Sequence, residues 1–191
     1  MYDSAVKSKF WDMVALSIGL IIISGVYAVY SPTFYSTGEG FIEIVLSSLN
    51  HYNKSHIYQN LALFVIVFLF KPPNVSNTFL YVIIIIGALL SNFANVWLIS
   101  STKIIGISGG LFSAVSYVVL SFPSGKNSVL SDVLQVTIKY FLLVFTVVVI
   151  PVIVTNPNTS GIRIAHGAHL FGIAFATLVY IIISSRKYLN E

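Results

Sequence analysis

Four histidines, one glycine-flanked serine and one asparagine carry most of the chemistry open to this chain. The histidines are His51, His56, His166 and His169, two pairs far apart in sequence. His56 and Asn60 are four residues apart, so on a helix they share a face. In Gly106-Ile-Ser108-Gly109-Gly110 the serine stands at the head of an apolar run. A helix N-terminus there offers unpaired N–H groups and positive potential. Ala165, His169, Gly172 and Ala176 follow one another at spacings of four, three and four, which puts small residues on the helix face bearing the histidine. Gly109, Gly110, Ser113 and Ala114 form a matching small face. Packing small against small would bring Ser108 and His169 within hydrogen-bond reach. Serine beside imidazole is a nucleophile with its base, and the Ser108 N–H, the Asn60 amide and His56 could hold an oxyanion. The corresponding chemistry is acyl transfer, with His169 taking the serine proton and returning it to a leaving amine.

The elements that must position these groups are apolar. Of 191 residues, 57% are hydrophobic and 8% charged, against about 25% charged in soluble domains; mean hydropathy is +0.91. This coat is too thin for water. It excludes a disordered chain, a coiled coil and a nucleic-acid-binding domain, and a net charge of +4 does not reverse that. Cysteine is absent, so no disulfide framework or thiolate site exists. A bilayer core takes about 20 apolar residues per helix. The pattern predicts an all-α integral membrane protein, residues 1–191 forming one domain of six spans at about 13–29, 56–70, 79–99, 108–122, 133–154 and 164–183. The fourth is short and rich in small residues, which suits a helix inside the bundle. Pro72-Pro73, Pro123 and Pro157 mark connections. Lys7 and Lys9 precede the first span as in a signal peptide, but no small-residue cleavage site follows, so it is read as retained. With the N-terminus inside, inner segments hold Lys7, Lys9, Lys71, Lys126, Arg186 and Lys187, and outer segments hold Lys54, Lys103 and Arg163. That bias predicts N-in and C-in, with the second, fourth and sixth spans starting at the outer face.

The acids narrow the chemistry. After Glu43 the next carboxylate is Asp132 and the next Glu191, so spans two, three, four and six hold none. A Ser-His-Asp triad at membrane depth and a pair of buried aspartates are both excluded. His-Glu-x-x-His is missing too. A two-residue Ser-His dyad remains.

These motifs resemble the rhomboid family of intramembrane serine proteases: His56-Ile-Tyr-Gln-Asn60, then Gly106-Ile-Ser108-Gly109, then Ala168-His169-Leu-Phe-Gly172, in that order along the whole chain. The resemblance implies a six-helix membrane core in which Ser108 is the nucleophile and His169 the base. By the same likeness His56 and Asn60 line the oxyanion hole, and Gly106 permits the tight approach of the loop before the serine. His51 matches a second histidine that often precedes the oxyanion one, and Phe112 an aromatic packed on the catalytic imidazole. The implied partners are the lipid bilayer and single-span membrane protein substrates cut after a small residue; no cofactor, metal or nucleic acid is implied. Two stretches depart from the family pattern. Phe41-Ile-Glu43-Ile stands where many members carry Trp-Arg, and Ile104-Ile105 precedes Gly106.

Other readings attach to the same residues. Ser108 alone would be a helix cap. His51 would brace the first loop by hydrogen bonds, and His166 would be structural. Asn92, Asn95 and Gln59 read as interhelical hydrogen-bond partners. Four histidines could hold zinc or copper, but no acid or cysteine accompanies them. Three Asn-x-Ser sequons occur, at Asn53, Asn74 and Asn158. The rival function is a catalytically inactive relative that binds membrane clients. A transporter would call for charge pairs that the spans lack.

Overall fold

A computed structural model describes residues 11–12, 14–22, 40–51, 54–98, 106–122 and 166–189. Every regular element among them is an α-helix. Residues 14–22 form α1. The others are α2 (Phe41–Leu49), α3 (Lys54–Phe70), α4 (Asn77–Leu98), α5 (Ser108–Ser121) and α6 (His166–Leu189). The expected second, third, fourth and sixth spans thus each coincide with a helix. Helix α6 continues past 183, through the polar Ser-Ser-Arg-Lys stretch that ends the apolar run. The expected fifth span, 133–154, and residues 13 and 23–29 of the first lie outside the described residues.

Helix α2 was not anticipated. Gly40 enters it with extended backbone, the Ile44 N–H bonds Gly40 O at 3.2 Å, and Glu43 in the first turn opposes the positive helix end. Its last turn is closed by serines. The Ser47 and Ser48 hydroxyls both donate back to Ile44 O, at 2.9 and 2.7 Å. Asn50 then leaves in extended conformation. Nine residues between Gly40 and Asn50 are too few to hold a helix alone, and packing against α4 supports them.

Helix α4 begins after Pro72-Pro73, where Ser76 accepts the Phe79 N–H at 3.2 Å. Leu80, Ile83, Ile84, Gly87, Ala88 and Ser91 make its buried stripe. The outward face is also apolar, with Val82, Ile85 and Ile86 exposed. Over its first turns both faces are thus apolar, the composition of a core helix or of a membrane span. Two described helices, Asn77–Leu98 and Gly167–Arg186, are long and apolar enough to cross a bilayer, and His56–Phe70 and Ser108–Ser121 are shorter apolar helices.

Helix α5 is buried nearly all round, packed between α4 and α6. Lipid supplies no hydrophobic drive between helices, so close approach of small residues must hold them together. A Cβ at Gly110 would stand 1.9 Å from Ile84 O of α4, and one at Gly172 would stand 2.1 Å from Gly109 O of α5. At one end of the bundle aromatic rings fill the gaps, Phe64 stacking on Phe68 at 4.6 Å and Phe79 lying 4.8 Å from Tyr117. At that same end Lys71 pairs with Asp12 at 3.6 Å and Asn77 donates to Asp12, tying the residue two before α1 to the α3–α4 connection. The other end gathers α2, the last turns of α4 and the first turns of α5 and α6.

Candidate active site

Ser108 opens α5, and the two residues before it set its position. Gly106 has φ +112°, a conformation that L side chains rarely adopt. Ile107 then caps the helix with φ −83° and ψ 0°, its carbonyl accepting the Gly110 N–H at 2.9 Å and the Leu111 N–H at 3.2 Å. The chain therefore turns into the helix within two residues and presents Ser108 on the first turn, half-buried. The first N–H groups of such a helix have no intrahelical acceptor.

His169 lies in the first turn of α6, 6% exposed. Its Nε2 is 3.0 Å from Ser108 Oγ. The contact follows from the small faces, because Gly172, one turn on, lies against Gly109 O and lets α5 and α6 approach at this height. Phe112, one turn beyond Ser108, sets its ring 4.2 Å from the His169 ring at 42°. Imidazole is thus held between a hydroxyl and an aromatic ring, in a pose suited to accepting the serine proton at Nε2.

Helix α3 brings two further candidates. His56 packs on Gly106: a Cβ there would come within 2.7 Å of His56 Cε1. Asn60, one turn along and 4% exposed, has an Nδ2 with no hydrogen-bond partner among the described residues. A buried donor held without an acceptor is one that a ligand oxygen could satisfy. His51 stands in the α2–α3 connection, its ring 5.3 Å from that of His56 and edge-on to it. Burial first, and the neighbouring His56 second, lower the His51 pKa from 6.5 to about 3, so it is neutral at physiological pH. The His166 side chain lies outside the described residues. Among the described residues no three His, Cys, Asp or Glu side chains gather in a way that could hold a metal ion.

Sequence reasoning missed the clamp around Gly106. Its N–H donates to Ser47 O of α2 at 2.8 Å. Its carbonyl accepts from Asn92 Nδ2 of α4 at 3.2 Å, and the same nitrogen donates to Ser48 Oγ at 2.8 Å. As a polar residue in an apolar span Asn92 signals an interhelical hydrogen bond, which it makes to Ser48 of α2, but that signal does not point to Gly106 as a second acceptor. A family model described as Rhomboid domain matches residues 38–186. No curated protein and no solved structure matches the chain.

Proposed function

Because the chain belongs to the rhomboid family and is an integral membrane protein, we propose that it is a serine-type endopeptidase that cleaves the transmembrane segments of other membrane proteins with a Ser108–His169 dyad. The observation that carries the reading is the 3.0 Å approach of His169 Nε2 to Ser108 Oγ. Ser108 Oγ attacks the scissile carbonyl carbon while its proton passes to His169 Nε2. The Ser108 N–H, Asn60 Nδ2 and His56 hold the oxyanion as it forms. On collapse the C–N bond breaks, His169 gives its proton to the leaving amine, and an acyl ester remains on Ser108. Water then attacks the ester through the same base, which returns a proton to Ser108.

The whole chain, 1–191, makes a single domain of six spans, N-in and C-in, in the cell membrane. Substrates are single-span membrane proteins that enter from lipid. The fifth span, together with the loop Thr155 to Gly161, serves as their gate; both lie outside the described residues. With no carboxylate in the α3, α4, α5 or α6 segments to support the imidazolium, turnover is slower than in soluble triad proteases.

The test sets purified protein in bilayers with a helical membrane substrate and a fluorophosphonate probe, beside Ser108→Ala and His169→Ala. Wild type should cleave and label, and each variant should lose at least about 10³-fold in cleavage. Equal behaviour of all three folded proteins would leave the client-binding, inactive relative as the function.

A further inference from the structure

Asn92 lies on α4, 1% exposed, and the hydrogen bonds its amide nitrogen makes go to Ser48 and Gly106 rather than to the dyad. Its amide nitrogen has two hydrogens. One goes to Ser48 Oγ at 2.8 Å and the other to Gly106 O at 3.2 Å. Ser48 can accept because its own proton is committed to Ile44 O at 2.7 Å. From the other side Ser47 O takes the Gly106 N–H at 2.8 Å. Gly106 is thus fastened at both its N–H and its C=O, by two neighbouring residues of α2 acting directly and through Asn92. This residue holds φ +112° and abuts the His56 ring, and Ser108 is two residues away. A glycine has no side chain to restrain that conformation, so it must be held by its backbone. Left unfastened, the segment before Ser108 could relax by an ångström, enough to cost a catalytic centre ~10²-fold.

We propose that Asn92 is a positioning residue: with Ser47 and Ser48 of α2 it locks the Gly106 peptide, and through it the placement of Ser108 and His56. The first-loop helix thereby becomes part of the support of the site. The inference rests on the protease reading for its effect on rate, though not for the clamp itself.

The test uses the full chain in bilayer-mimetic detergent with Asn92→Ala, the near-isosteric Asn92→Leu, which has no hydrogen-bonding group, and Ser48→Ala. Phe64→Leu, which loosens the aromatic end of the bundle, is the comparator. Hydrogen exchange over the segment containing Gly106 and Ser108, the fluorophosphonate labelling rate, and kcat and KM are followed together. Both Asn92 variants should raise exchange in that segment and lower labelling rate and kcat ~10-fold with KM within about twofold, and Ser48→Ala should do so less. Phe64→Leu should lower Tm and leave exchange and labelling at Ser108 unchanged. Unaltered exchange and labelling in both Asn92 variants would overturn the clamp. So would an equal slowing in Phe64→Leu at matched Tm. A wild type that neither labels nor cleaves would defeat the protease reading alone, since the exchange comparison decides the clamp without catalysis.

Discussion

At the scale of single residues, the site depends on groups kept in states they would not choose in water. Gly106 is one. Its positive φ costs an L residue roughly 1–2 kcal/mol, and a Cβ would press within 2.7 Å of the His56 ring. Gly106→Ala should therefore displace His56 as well as strain the turn, and lower the fluorophosphonate labelling rate of Ser108 about 10- to 100-fold. Labelling at wild-type rate would show that neither Gly106 nor His56 matters to the serine. His51 is another. Folded, its pKa is lowered to about 3, and unfolded it returns to 6.5. Between these values the unfolded chain binds the extra proton, so stability is full above pH 6.5 and declines as pH falls toward 3. Unfolding followed at pH 7, 5.5 and 4 should show this decline. His51→Gln should flatten it, and an unchanged slope in that variant would assign the acid sensitivity to other groups.

Between elements, the decisive contacts are helix to helix through glycine. Gly110 has Ile84 O at 1.9 Å from a would-be Cβ, and that neighbour is backbone, unable to step aside. Gly110→Ala must separate α4 from α5, at a cost of about 1–3 kcal/mol. Gly40 provides the contrast: its backbone is extended and nothing lies within 4 Å of an added Cβ. Gly40→Ala should not lower Tm appreciably, since it adds no clash and no strain and reduces the freedom of the unfolded chain. The comparison, read as thermal unfolding in detergent, separates packing from intrinsic glycine flexibility. A similar loss in both would contradict the close approach. The same logic explains why α5 can be only 14 residues long. It is walled by α4 and α6 and need not span lipid unaided.

For the whole molecule, the question is which end of the bundle faces which side. The tie between Asp12 and Lys71 places Asp12, two residues before α1, beside the α3–α4 connection. Ser108, His169 and Gly106 lie at the opposite end. If the basic residues set the orientation as proposed, Asn74 faces inside and Gly40 outside. The chain has no cysteine, so single substitutions can be mapped without background. In intact cells an impermeant maleimide should modify Gly40→Cys, and should reach Asn74→Cys only after permeabilisation. The reverse pattern would invert the topology and move the candidate site to the inner face.

Composition and apolar run length determined the membrane class, the spans read at 56–70, 79–99, 108–122 and 164–183, which helices α3 to α6 match to within a few residues save at the end of α6, and the small-residue faces of α5 and α6, because these depend on neighbours within a few turns. The same local patterns made Ser108 and His169 candidates for contact, although 61 residues separate them. Helix α2 and the clamp on Gly106 were not legible. Phe41–Leu49 is too short to declare itself helical without α4 beneath it. Nothing in the spacing of Ser48 and Asn92, 44 residues apart, says that one amide nitrogen must serve both the first-loop helix and the turn before the serine. Local periodicity tells which face of a helix is small or apolar; which backbone atoms meet across those faces is decided only when the helices pack, because each bond there needs three segments in register at once.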